Sequence, residues 1–309
     1  MTAASIPRRS GLAALAALAL SACASSSEPP PPPALCADAG VPGTCRADCG
    51  RYDTGTAGAC SGGLLCCTPA TAVACDSSAM PLPILGGVDG DPGPGPGPWC
   101  PGSMALVDTF CIDKYENTLT VVATGEPWSP YWNPGATPVR ARSAKHSVPQ
   151  GYVSGTQAAA ACAAAGRRLC TDAEWLRACQ GPDGTTYPYG NTYVAGNCND
   201  TRAVHPAVEL FGTNDAWIFG FLDHPCLNQL PASLGETWTR SACITAEGVY
   251  DMVGNLAEWT ADPSGTFRGG DYVSAALNLN GFGCENATTA HDVSHHDYTT
   301  GFRCCADAQ

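Results

Sequence analysis

The chain has 309 residues, of which 14% are charged, and it contains 35 glycines, 26 prolines and 19 cysteines. Its formal charge of −13 excludes a nucleic-acid-binding surface, which needs clustered Lys and Arg against phosphate. The glycine and proline content points to a loop-rich protein, and the length allows one sizeable domain with appendages.

Residues 1–22 read as an export signal: Arg8 and Arg9 form the charged start, residues 12–20 the apolar run, and Ser21-Ala22 the small residues before cleavage. The apolar run is too short to span a bilayer. Leu20-Ser21-Ala22-Cys23 resembles the bacterial lipobox, which implies acylation of Cys23, a membrane tether through that lipid, and an address in the cell envelope. Ala24 rather than Asp after the cysteine favours the outer membrane or the cell surface. Residues 23–35, rich in Ser and then Pro, form a stalk.

Residues 36–75 hold seven cysteines, and about 40 residues cannot bury enough apolar surface to fold without cross-links. This cysteine-rich module reads as a stapled spacer or as a binding knob. Eighteen cysteines besides Cys23, in an exported chain, imply a disulfide framework. Seven being odd, one cysteine of the module should pair outside it, with Cys75–Cys100 as the expected bond. Residues 76–98, ending in a Pro-Gly alternation, form a second linker, and the main domain occupies residues 99–309.

Within that domain, residues 103–115 alternate loosely between apolar and polar, as strands covered on one face do. A helix is expected over 156–165, capped by Thr156 and stopped by Gly166, and a second over 171–180, opened by the capping box Thr171-Asp-Ala-Glu174. Trp175 and Cys179, four apart, share a face of it. Short strands are expected near 267–273 and 300–305. Few helices, short strands and long loops make an α+β domain. Residues 248–260 bracket a glycine and an asparagine with Asp251 and Glu258, an arrangement that can aim side-chain and main-chain oxygens at one hard cation.

Six segments together resemble the formylglycine-generating enzyme (sulfatase-modifying factor) family. They are Phe110-Cys-Ile-Asp-Lys-Tyr-Glu116, Gly166-Arg-Arg-Leu-Cys-Thr-Asp-Ala-Glu-Trp175, Tyr187-Pro-Tyr-Gly-Asn191, the 248–260 stretch, Phe267-Arg-Gly-Gly270 and Gly301-Phe-Arg-Cys304. The resemblance implies a variant of the C-type lectin-like fold, disulfide-stapled and loop-rich, and it covers about two-thirds of the chain. It implies the disulfides Cys162–Cys304 and Cys179–Cys284. It also implies structural calcium on Asp251, the carbonyls of Gly254 and Leu256, and Glu258. Family oxidases hold copper between two cysteines after the Arg-Gly-Gly motif. Those positions are Ser274 and Leu279, neither of which supplies the thiolate that Cu(I) needs, so copper and the oxidase reaction are not expected.

The function implied is that of a surface lipoprotein carrying a non-catalytic binding or scaffold module for a peptide or glycan. The alternative is an enzyme with altered, metal-dependent oxidase or oxygenase chemistry on His291, His295 and His296, with Asp292 or Asp297 in support. The same polar cluster also reads as a tie for its loop. His146, His205 and His224 are isolated and read as structural, and Trp259 reads as core.

Overall fold

The structure, a computed structural model, describes the backbone of residues 44–46, 53–57 and 65–69, and in full residues 71–76, 79–80, 97–274 and 282–309. Cys23, the export signal, the stalk and Leu279 lie outside the described residues. Three strands of the cysteine-rich module, β1 (Thr44–Arg46), β2 (Asp53–Ala57) and β3 (Leu65–Pro69), form an antiparallel sheet with β3 in the middle.

The main domain opens with a hairpin of β4 (Met104–Val107) and β5 (Phe110–Asp113), followed by a second antiparallel pair, β6 (Asn117–Val121) and β7 (Val139–Ser143). Helix α1 (Gly155–Ala164) is capped by Ser154, two residues before the expected Thr156. Ser154 and Gln157 close a reciprocal capping box, which Thr156 cannot do because its N–H bonds the Val293 carbonyl. The small residues of α1 serve close packing: a Cβ on Gly155 would come within 3.2 Å of the Trp259 ring. After β8 (Arg168–Leu169), helix α2 (Asp172–Gln180) begins at its Thr171 cap with Glu174 in the box, burying Trp175, Ala178 and Cys179. A helix not anticipated from sequence, α3 (Pro206–Phe211), has His205 as N-cap, Pro206 in its first turn and Gly212 in the left-handed conformation at its end.

The remaining strands are short: β9 (Ala257–Trp259), β10 (Phe267–Arg268), β11 (Ala287–Thr288), β12 (Thr300–Phe302) and β13 (Cys304–Asp307). The strand expected over 267–273 ends at Arg268, where Gly269 and Gly270 turn at φ 85° and 68°. One sheet runs β11-β10-β9-β12 and the other β4-β5-β13-β8. The stretch expected as one strand over 300–305 therefore serves two sheets, with Arg303 at the crossing between β12 and β13. The Trp99 N–H donates to the Gln309 carbonyl and the Gln309 N–H to that of Trp99, both at 3.1 Å, clasping the first and last residues of the domain.

Six disulfides join described cysteines: Cys75–Cys226, Cys100–Cys111, Cys162–Cys304, Cys170–Cys305, Cys179–Cys284 and Cys198–Cys243. The expected Cys75–Cys100 bond is thus corrected. Cys111 on β5 takes Cys100, and Cys75 reaches Cys226 beside α3, where the Ala72 N–H donates to the Leu210 carbonyl. Cys162–Cys304 and Cys170–Cys305 fasten α1 and the start of α2 to adjacent residues of β13, which fixes both helices against the sheet. No helix among the described residues is long and apolar enough to cross a membrane.

Candidate functional site

The 248–260 loop folds tightly because four of its residues adopt positive φ: Gly248 (φ 82°), Asp251 (φ 58°), Gly254 (φ 76°) and Asn255 (φ 62°). Gly254 is required there, since a Cβ would run into the Asn199 carbonyl. That carbonyl accepts from the Asn255 N–H at 2.7 Å. The Asn255 side chain donates to Glu116 Oε2 at 2.6 Å, and its Oδ1 accepts from the Gly235 N–H at 2.8 Å. Glu116 Oε1 accepts from the Leu256 N–H at 3.2 Å.

Glu116, Asp251 and Glu258 are all buried around one guanidinium, that of Arg303, itself fully buried. Burial raises the Glu116 carboxyl well above its ordinary value, and the nearby Asp251 and Glu258 push it further. Burial pushes Asp251 up to about 6 although it accepts from the Trp238 N–H at 2.8 Å. Arg303 meets Glu258 with both faces of its fork, Nε on Oε2 and Nη2 on Oε1, each at 2.6 Å. Trp175 Nε1 donates to the same Oε2 at 2.7 Å, and the other Arg303 donors reach the carbonyls of Asp113 and Tyr250 at 2.9 Å.

This geometry bears on calcium. Glu258 Oε2 already has two donors and Oε1 one, so Glu258 does not fit as an ion ligand while Arg303 is in place. Of the set Asp251, Gly254, Leu256 and Glu258, Glu258 is paired directly with Arg303, and Asp251 is near enough to the same guanidinium to act on it electrostatically. Among the described residues, no group of three or more His, Cys, Asp or Glu side chains is arranged to hold a metal ion.

Beyond β10 the two glycines bring residues 271–274 against the core. A Cβ on Gly269 would approach the Met252 carbonyl to 2.6 Å. Ser274 Oγ accepts from the Asp271 N–H at 2.7 Å and donates to Asp271 Oδ1 at 2.6 Å. The first copper position is therefore a hydroxyl tied into its own turn, which does not fit a Cu(I) site. Burial pushes Asp271 up to about 6, and its Oδ2 has no hydrogen-bond partner.

Two cavities meet at Ser274 and Asn286. One, of about 210 Å³, is lined by Tyr187, Tyr193, Asp200, Val253 and Phe282 among others. The second, of about 170 Å³, includes His205, Asp271, His291, Asp297 and Tyr298. His205, read from sequence as merely structural, thus lines a cavity. Its Nδ1 accepts from the Ala207 N–H as the α3 cap, and its Nε2 lies 3.0 Å from Tyr298 Oη. Only the His-Pro step of a helix start could have flagged it.

The three candidate metal-binding histidines do not converge. No helix forms over 291–296; the His291 and His295 rings stack with centroids 3.8 Å apart and 14° between planes. His295 Nε2 lies 3.2 Å from Asp297 Oδ2, while Asp297 Oδ1 accepts from the Thr299 N–H and hydroxyl. Burial would raise the Asp297 carboxyl, but these hydrogen bonds outweigh it and hold the group below its ordinary value. Burial, followed by the neighbouring His295, lowers His291. His296 is lowered first by burial and has an unpartnered buried Nδ1. These side-chain contacts close the 291–299 loop on itself, and main-chain bonds tie it to α1 and β9, the Thr156 N–H to the Val293 carbonyl and the Ala257 N–H to that of Thr299. His224 is buried and His146 packs edge-on against Trp238.

Fold and site together define a disulfide-stapled α+β domain in which a buried arginine fastens two small sheets beside a tyrosine-lined cleft. Residues 99–308 match the sulfatase-modifying factor enzyme 1-like domain, and the chain belongs to that family. It is 30% identical over 172 residues to the inactive C-alpha-formylglycine-generating enzyme 2 of Mus musculus, covering 53% of this chain and 50% of that protein. It is 31% identical over 132 residues to the Bos taurus protein of the same name, covering 42% of this chain and 38% of that one. The chain therefore spans half or less of the length of these relatives. Among solved structures, PvdO from Pseudomonas aeruginosa is similar at 17% identity and a TM-score of 0.41, over 64% of this chain and 80% of that one.

Proposed function

We propose that the domain is a non-catalytic binding or scaffold module of the formylglycine-generating family, using its cleft for a peptide or glycan. The observation that carries this reading is Ser274, whose hydroxyl is spent on Asp271 at the position where the family's oxidases need a thiolate. The two mammalian relatives, both called inactive, support it. In the same reading, the residue 1–22 signal and Cys23 deliver the protein as a lipid-anchored envelope protein, and the six disulfides suit an oxidising compartment. Calcium enters as a competitor: it and Arg303 contend for Glu258, so the ion binds only where the guanidinium yields.

The test is elemental analysis of the purified chain together with a copper- and oxygen-dependent assay on a Cys-x-Pro-x-Arg peptide. No stoichiometric copper and no formylglycine are expected. Copper retention with peptide conversion overturns the reading.

A further inference from the structure

The six described disulfides differ in access. Five bury both of their cysteines, none more than 6% exposed, whereas Cys75–Cys226 joins an exposed cysteine to a fully buried one. Cys75 belongs to a strap, residues 71–76, that directly follows β3 of the cysteine-rich module and runs over the α3 face of the main domain. Thr71, Ala72, Ala74, Cys75 and Asp76 are all exposed. Besides the disulfide, the strap is held at two residues. The Ala72 N–H donates to the Leu210 carbonyl at 2.6 Å, and a Cβ on Gly212 would come within 2.8 Å of that of Ala72. Val73 is half-buried against a cluster that includes Leu210, Phe211, Cys226 and Leu227.

We propose that Cys75–Cys226 is a redox latch, which a thiol–disulfide oxidoreductase in its dithiol form opens to free the cysteine-rich module from the α3 face. Exchange requires a thiolate to reach a disulfide sulfur, so access selects the bond that is attacked. The incoming thiolate attacks Cys75 Sγ, forms a mixed disulfide there and expels Cys226 as a thiolate, which takes up a proton. The second thiol of the oxidoreductase then attacks its partner sulfur in the mixed bond and releases Cys75. Two electrons and two protons pass to the chain: the dithiol ends as a disulfide and the chain holds two thiols. Attack on either cysteine of the other five bonds first needs local unfolding. Once the latch is open, one main-chain hydrogen bond at Ala72 and one half-buried side chain at Val73 are weak holds against the entropy of ordering the strap. The main domain keeps its own fasteners, since Cys162–Cys304 and Cys170–Cys305 hold α1 and the start of α2 to β13.

The test treats the oxidised full chain with graded dithiothreitol, alkylates the thiols that appear and maps them by mass spectrometry. Cys75 and Cys226 should open at least about tenfold faster than the cysteines of the other five bonds. In protein reduced to that stage, the Ala72 amide should exchange its hydrogen at least about tenfold faster, with the amides of α2 unchanged. The double variant Cys75→Ala, Cys226→Ala should show the fast Ala72 exchange without any reductant. If that variant does not fold, the dithiothreitol series on the wild-type chain decides alone. Opening of any of the five buried bonds as early as Cys75–Cys226 overturns the proposal, as does an Ala72 amide equally protected with the latch closed and open. Loss of α2 protection at the same stage overturns it too, because the bond would then hold the domain itself together. None of these outcomes depends on what the cleft binds.

Discussion

Replacing Arg303 by Leu tests the central structural claim. In the native chain the guanidinium neutralises one of three buried carboxylates and satisfies the carbonyls of Asp113 and Tyr250. Leucine removes two charge-assisted bonds of 2.6 Å and leaves Glu258 buried with a single donor, Trp175 Nε1. Breaking a buried pair by deleting one partner costs about 3–5 kcal/mol, because the remaining charge is uncompensated. For a domain of this size each kcal/mol moves the unfolding temperature by about 2–4 °C, so a fall of roughly 6–20 °C is expected. Circular-dichroism melting under non-reducing conditions reads it. The double variant Arg303→Leu, Glu258→Leu should recover part of the loss but not all, since the two carbonyls stay orphaned. A single-variant loss below about 1 kcal/mol, or a double variant no more stable than the single one, refutes the claim that this pair fastens the two sheets.

The other expectations concern separate groups. Gly254→Ala puts a Cβ into the Asn199 carbonyl at φ 76°, and a loss of at least about 1–3 kcal/mol should appear as a lower urea midpoint. Asp271 is raised to about 6 in the fold from an ordinary 3.8, so the folded state binds the extra proton. Its contribution is therefore full below about pH 4 and is lost as pH rises through about 6. Asp271→Asn should accordingly be more stable than wild type at pH 8, by about 1–3 kcal/mol, and level with it at pH 4. A less stable variant at pH 8 would contradict the assignment. Replacing Cys162 and Cys304 by Ala opens a cross-link spanning 142 residues and should lower stability by about 2–5 kcal/mol in denaturant melts. Adding calcium should raise the melting temperature of Arg303→Leu more than that of wild type, because only the variant frees Glu258; equal shifts would show that Glu258 is not the contested ligand.

What the sequence made legible was what local chemistry encodes. The capping box of α2 is written in Thr171 and Glu174, and the helix forms there. The Ala-rich α1 was visible, but its start moved to Ser154 because the Thr156 N–H is taken by Val293, a partner 137 residues away that no local rule reveals. Helix α3 was missed because six residues give no period to read; its signals were only the cap, Pro206 and Gly212. The loop at 248–260 was read as a cation site from its own acids. What it faces, Arg303 and Glu116, lies 45 and 139 residues from its nearest partners in sequence, so the charge balance existed only after folding. The histidines at 291–296 illustrate the same limit: their spacing suggested chelation, and a turn closed by the His295 N–H on the Asp292 carbonyl instead stacked two rings face to face.

The positions of Arg303 and Ser274 separate what holds the family scaffold together from what lines its cleft. Arg303 bonds to β9 through Glu258, to the end of β5 through Asp113 and to the 248–260 loop through Tyr250, so it fastens those elements from inside the core. The cleft residues hang from the far side of the same elements: Gly269 packs on Met252 and Trp175, and Trp175 is itself bonded to Glu258. Folding energy and cleft geometry are therefore carried by one buried network. The residue at the head of the following turn only has to close that turn. Ser274 does so through Asp271, which leaves the pocket walls at Tyr187, Tyr193 and Asp200 in place. The residue at this position is thus needed only to close the turn, which predicts that Ser274→Cys folds as wild type, with an unfolding temperature within about 2 °C. A large fall would show instead that the Ser274–Asp271 bond is itself structural.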